Sequence, residues 1–165
     1  MIIAVTLWWL MTGLALLSVH QQPPISRVLF TATTFCAAGA MLLMSSNSLN
    51  DSVMGVITGF VMALVVWGWL ELLYLMGYLT GPNKYPATET TWPSGLRFRR
   101  ALGTTLHHEI LVLAILLIVF LQTVNGPNLI IFKTLGILWI MRCSTKLNLF
   151  FGVRHFNESW LPETM

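Results

Sequence analysis

In a chain that is otherwise mostly apolar, Glu71, His108, Glu109, Arg142, Lys146 and Asn148 are the residues that could carry chemistry. An ionisable side chain at membrane depth needs a partner or a purpose, and these come in both signs. Arg142 and Lys146 are four residues apart, which places them on one face of a helix. Glu71 lies nine residues before Thr80 and Arg142 nine before Phe151; at 1.5 Å per residue each sits about 13 Å from the end of its own apolar stretch. Opposite charges at equal depth pair, and His108 and Glu109 approach from the same side. The expectation is a polar cluster of Glu71, Glu109, Arg142 and Lys146, with His107 or His108, where three helices meet. Asn148 adds a neutral donor and acceptor. Two readings stay open. Charge pairs can fix which helices are neighbours while compensating one another's desolvation, or the cluster can be a ligand or proton site.

The run His107-His108-Glu109 does not form the HExxH signature of zinc peptidases, since no histidine follows at the fourth position and adjacent side chains point about 100° apart on a helix. A single neutral imidazole can instead ligate a tetrapyrrole metal axially, with its other ring nitrogen held by a carboxylate. GxSxG, GxxxxGK[ST] and GxGxxG are absent from the sequence, so serine hydrolase, P-loop and dinucleotide templates find no footing. Cys36 and Cys143 lack the CxxC spacing of a metal or redox site and read as small residues within apolar stretches.

The elements that must position these residues follow from composition. Of 165 residues, 56% are hydrophobic and 9% charged, against about 25% charged in a soluble domain; mean hydropathy is +0.75. Apolar stretches run over about 2–19, 28–46, 53–80, 106–123 and 129–149, separated by polar or Pro/Gly segments, and each approaches or passes the ~20 residues that span a bilayer. They are continuous rather than alternating, which excludes barrel strands. The fold class expected is all-α: one polytopic integral membrane domain over 1–165 with about five transmembrane helices. Residues 2–19 are expected to be a first transmembrane helix rather than a secretory signal, because no Lys or Arg precedes them and Pro23-Pro24 follows. Small residues at four-residue spacing, Gly55 and Gly59, and Ala32, Cys36 and Ala40, mark faces for close helix approach. Trp8, Trp9, Trp67, Trp69 and Trp139 fall inside the stretches, where they would meet lipid, other helices, a pigment or another subunit.

The distribution of Lys and Arg sets orientation. Arg27, the segment 81–105 with Lys84, Arg97, Arg99 and Arg100, and the C-terminal Arg142, Lys146 and Arg154 fall on one side; Lys133 alone falls near the other. This predicts an N-terminus outside, a C-terminus in the cytoplasm and a basic cytoplasmic loop over 81–105. The formal charge of +3 reflects that asymmetry, and without clustered basic patches it does not indicate a nucleic-acid partner.

Several of these residues fall in runs that resemble a known family. Trp67-Gly68-Trp69 with Glu71, then Thr80-Gly81-Pro82, then His108-Glu109, and above all Arg142 to Pro162 (RCSTKLNLFFGVRHFNESWLP) resemble the photosynthetic complex assembly protein 2 family of phototrophic bacteria, encoded near the reaction-centre H subunit. The likeness covers about residues 67–162. It implies an integral protein of the bacterial inner (cytoplasmic or intracytoplasmic photosynthetic) membrane, without established catalysis, that helps build or maintain the reaction centre and core light-harvesting complex. Those complexes contain bacteriochlorophyll, so the resemblance favours His108 over His107 as a tetrapyrrole ligand. Glu71, His108, Glu109, Arg142, Lys146, Asn148, Gly152, Arg154, Asn157 and Glu158 are its motif positions. Members of that family continue past the last motif into further spans, so this chain reads as a short or truncated member. Two further readings remain: a membrane enzyme or proton- or ligand-handling protein, and a permanent structural subunit of the photosynthetic complex.

Overall fold

The structure, a computed structural model, describes residues 2–82 and 94–152, with side chains at 5–82 and 103–147. The described residues form five helices and no strand: α1 (Ile2–Val19), α2 (Pro23–Ser48), α3 (Val53–Leu75), α4 (Ser94–Thr123) and α5 (Ile130–Gly152). In hydrocarbon no water is available for backbone N–H and C=O groups, and a helix satisfies them within its own segment. Pro23–Ser48, Val53–Leu75 and Gly103–Thr123 are long and apolar enough to cross a membrane. Val5–Val19 is a shorter apolar run, and α5 carries Lys133, Arg142 and Lys146 along its length.

The boundaries differ from those expected in three places. The third helix ends at Leu75, not Thr80, because Gly77 takes a left-handed φ of 71° that favours glycine; its N–H donates to the Tyr74 carbonyl at 2.9 Å. Residues 76–80 are mostly apolar, so hydropathy runs through a stop that backbone geometry imposes. The second helix starts at Pro23 rather than Val28; a proline at the first helical position lacks only an N–H that would be unpaired anyway. The segment 81–105 is not all loop, since α4 begins at Ser94 and carries Arg97, Arg99 and Arg100 on its first turns.

Central in the bundle is α3, which packs against each of the other four helices, while α5 packs against α3 and α4. The core is built from Ala37, Ala40 and Met44 of α2, Ala63, Val66 and Leu70 of α3, Val112, Ile115 and Val119 of α4, and Ile131 and Leu135 of α5, at the three- and four-residue steps of one helix face. The packed face of α2 is rotated from the one expected: Ala32 and Cys36 are exposed, whereas Ala37, Ala40, Met44 and Ser48 are buried. On α3 the small residues do admit close neighbours. A Cβ on Gly59 would meet the Ile130 side chain at 2.5 Å and one on Gly55 the Asn50 carbonyl oxygen at 2.4 Å. The outward faces remain strongly apolar, with Trp9 67%, Phe35 74% and Leu42 81% exposed, as suits surfaces solvated by lipid.

Two connections at one end of the bundle are clasped together. The Asn128 backbone N–H donates to the Ser48 carbonyl at 3.0 Å and its side-chain amide to the Asn50 carbonyl at 2.8 Å. The Asn47 amide donates to the Gly55 carbonyl at 3.1 Å, and the Ser52 hydroxyl accepts from the Gly55 N–H at 3.1 Å as the N-cap of α3. These bonds pin α2, α3 and α5 at that end. What remains to be held is the other end, where Glu71, Glu109, Arg142 and Lys146 lie.

Candidate functional site

Each of three helices presents polar groups at the end opposite the clasped connections, at a spacing its own geometry dictates. From α3 come Glu71 and Tyr74, three apart and therefore on one face, together with the carbonyl of Leu70. From α5 come Trp139, Arg142 and Lys146, at steps of three and four along one stripe. α4 supplies neighbours, His108 and Glu109, which point about 100° apart. That divergence is what the site uses. His108 turns to α3, where a ring nitrogen, Nε2, lies 3.0 Å from the Leu70 carbonyl oxygen and its ring centroid 5.3 Å from that of Tyr74. Glu109 turns to α5.

The charges close into a neutral set. Arg142 Nη1 pairs with Glu71 Oε2, and Lys146 Nζ with Glu109 Oε1. The Trp139 indole N–H donates to Glu109 Oε2 at 3.0 Å, so both oxygens of Glu109 are engaged. Arg142 Nε stands 3.6 Å from Glu109 Oε1, which links the two pairs, and the guanidinium carbon lies 4.8 Å from the centroid of Tyr74 in a cation–π arrangement. Two carboxylates balance one guanidinium and one ammonium; all four are partly buried, Arg142 most and Lys146 least. A buried charge that lost its partner would pay its desolvation uncompensated; here each has one.

The structure thus brings together Glu71, His108, Glu109, Arg142 and Lys146. His107 is exposed on another side of α4. Asn148 lies on α5, but its side chain is outside the described residues, as are Arg154, Asn157 and Glu158. Glu71 and Arg142 do not lie at equal distances from their helix ends, contrary to expectation. With α3 ending at Leu75 and α5 running to Gly152, Glu71 is about 6 Å and Arg142 about 15 Å from its own helix end. The residues meet because α5 extends past α3, not because their distances to the ends match.

Tyr74 and Trp139 belong to this site and were not among the residues singled out for chemistry. Their signal was present: Tyr74 is three residues from Glu71 and Trp139 three from Arg142. Trp69 has a comparable role elsewhere, its indole N–H donating to Thr34 Oγ1 of α2 at 3.2 Å.

A tetrapyrrole does not fit at His108. Axial ligation needs an imidazole nitrogen on an edge that a wide macrocycle can reach, but His108 is 0% exposed. Its Nε2 is committed to Leu70, and its Nδ1 faces the interior, 3.9 Å from Glu109 Oε1. In this packing neither ring nitrogen of His108 stands open at the surface of the bundle.

Over the described residues, fold and site together define a helical bundle with three helices long and apolar enough to cross a membrane, in which charged side chains of α3, α4 and α5 pair at a three-helix junction. The family model described as "Protein of unknown function (DUF3623)" matches residues 1–165, and the chain belongs to that family. A relative from Rhodobacter capsulatus, described as an "Uncharacterized 30.4 kDa protein in puhA 5'region", is 32% identical over 96% of this chain. The chain spans 59% of that relative's length. No solved structure matches it.

Proposed function

We propose that this chain is a membrane-embedded assembly or scaffold factor for the bacterial photosynthetic reaction centre and core light-harvesting complex, acting through lateral helix contacts. The observation that carries the reading is the relative whose description places it in the puhA 5′ region, a photosynthesis gene neighbourhood. The resemblance of the Glu71, His108-Glu109 and Arg142–Pro162 motifs points the same way. The internal balance of the charge cluster supports it physically. Both Glu109 oxygens and the Glu71–Arg142 pair are used inside the protein, so the cluster sets helix order, and the apolar outer faces of α1 and α2 are left for lipid or partner helices.

In this reading all five helices of the single domain span the inner membrane. The N-terminus lies outside, and the basic segment before α4 and the C-terminal end lie in the cytoplasm. Reaction-centre and core antenna polypeptides are the partners, and no pigment step is assigned to His108.

The test is a deletion strain complemented by a tagged full-length protein. Loss of reaction-centre and core antenna absorbance on deletion, its restoration by the tagged chain, and recovery of those polypeptides with the tag are expected. A photosynthetic complex of unchanged amount and spectrum in the deletion strain would overturn the proposal. Substoichiometric recovery distinguishes an assembly factor from a permanent subunit, which would be recovered one to one from the mature complex.

A further inference from the structure

Two buried polar atoms of the cluster have no protein hydrogen-bond partner: His108 Nδ1 and Arg142 Nε. Both face one oxygen, Glu109 Oε1, at 3.9 Å and 3.6 Å. Their chemistry is complementary. The Leu70 carbonyl can only accept, so His108 Nε2, 3.0 Å away, carries the ring proton, and in the neutral imidazole Nδ1 is then a bare acceptor. Arg142 Nε–H is a donor that cannot deprotonate. An acceptor without a donor and a donor without an acceptor thus lie beside one carboxylate oxygen, within a fully buried histidine's surroundings.

We propose that one water molecule is bound at this point, accepting from Arg142 Nε–H and donating to His108 Nδ1 and Glu109 Oε1. Three hydrogen bonds are the usual coordination of an internal water; here two of the three groups are otherwise unsatisfied, Glu109 Oε1 already accepts from Lys146, and only this direction of donation suits all three. The water holds His108 as the neutral Nε2–H tautomer, with Nδ1 kept as a proton acceptor inside the bundle. A direct bond between Nδ1 and the carboxylate would need an extra proton, either on the ring or on Glu109. The other ionisable groups around the imidazole are Glu71 and Tyr74 of α3 and Arg142, Cys143 and Lys146 of α5; α2, which also packs on α4, carries Arg27 and Cys36, both exposed. This site is independent of the assembly role and stands or falls without it.

The test is nitrogen-15 NMR of the full chain, labelled at histidine and reconstituted in lipid nanodiscs at neutral pH, with His108 assigned by loss of its signals in His108→Asn. Expected are a protonated Nε2, an unprotonated Nδ1 and magnetisation transfer from water protons to Nδ1. Arg142→Lys keeps the positive charge but removes the Nε–H donor, and should cut that transfer several-fold. Trp139→Phe, which alters only the bond to Glu109 Oε2, should leave it unchanged. A protonated Nδ1, or no transfer from water in the wild-type chain, overturns the proposal, as does transfer that survives Arg142→Lys undiminished. With His108 assigned, the wild-type spectrum decides the matter even if Arg142→Lys or Trp139→Phe fails to fold.

Discussion

The guanidinium of Arg142 lies 4.8 Å over the ring of Tyr74, one turn along α3 from the Glu71 carboxylate that it pairs with. A single cation from α5 is thus held by a charge and a π-face from α3 at once. His108 packs against the same ring. The junction is consequently one unit rather than a set of separate contacts.

Glu71 and Arg142 should show strong coupling. Arg142→Leu leaves Glu71 buried without its counter-ion and is expected to destabilise by about 3 kcal/mol, as is typical when one partner of a buried pair is removed. Glu71→Leu has a cost of similar size. The double variant should recover much of the loss, with an interaction energy above about 1 kcal/mol. Unfolding midpoints in mild detergent for the four proteins provide the measurement; additive losses would show that the two residues do not act as a pair.

Tyr74 contributes through its ring rather than its hydroxyl. Tyr74→Phe is expected to leave stability nearly unchanged, whereas Tyr74→Leu should cost about 1 kcal/mol for the lost cation–π contact. The same unfolding assay separates the two variants, and equal losses in both would assign the effect to the hydroxyl.

Glycines in this chain are not equivalent. A Cβ on Gly81 would lie 1.7 Å from the Gly103 carbonyl oxygen and one on Gly126 2.4 Å from that of Ser48. Backbone atoms cannot yield cheaply, so Gly81→Ala and Gly126→Ala should each destabilise by about 1–3 kcal/mol. A Cβ on Gly68, within Trp67-Gly68-Trp69, would meet nothing within 4 Å, and Gly68→Ala should be neutral or stabilising by up to about 1 kcal/mol. Thermal unfolding of the three variants side by side provides the check.

The orientation can be read with a thiol reagent that does not cross membranes. Cys36 and Cys143 are replaced by alanine and a single cysteine is placed at Asp51, which is exposed in the turn before α3. Labelling of spheroplasts should proceed without lysis. Labelling only after lysis would reverse the topology inferred from the Lys and Arg distribution.

Much of the helical architecture was legible from hydropathy, because satisfying the backbone in hydrocarbon leaves a continuous apolar run little choice but a helix. The helix ends were less legible. Gly77 terminates α3 through backbone conformation while the hydropathy continues, and Pro23 begins α2 inside a segment that composition assigns to a loop. The ion pairs were approachable because intramembrane charges demand partners. Their depth, inferred from helix ends that proved wrong, did not establish the contact.

The sequence by itself determined that the chain forms apolar helices and that Glu71, His108, Glu109, Arg142 and Lys146 are too costly to leave uncompensated among them. Tertiary structure alone decided who compensates whom. Helix rotation selected Ala37 rather than Cys36 for the core, sent His108 inward and His107 outward, and recruited Tyr74 and Trp139. The physical reason is that desolvation cost belongs to each residue alone, whereas pairing depends on azimuth and relative sliding, which only the packing of side chains between neighbouring helices fixes.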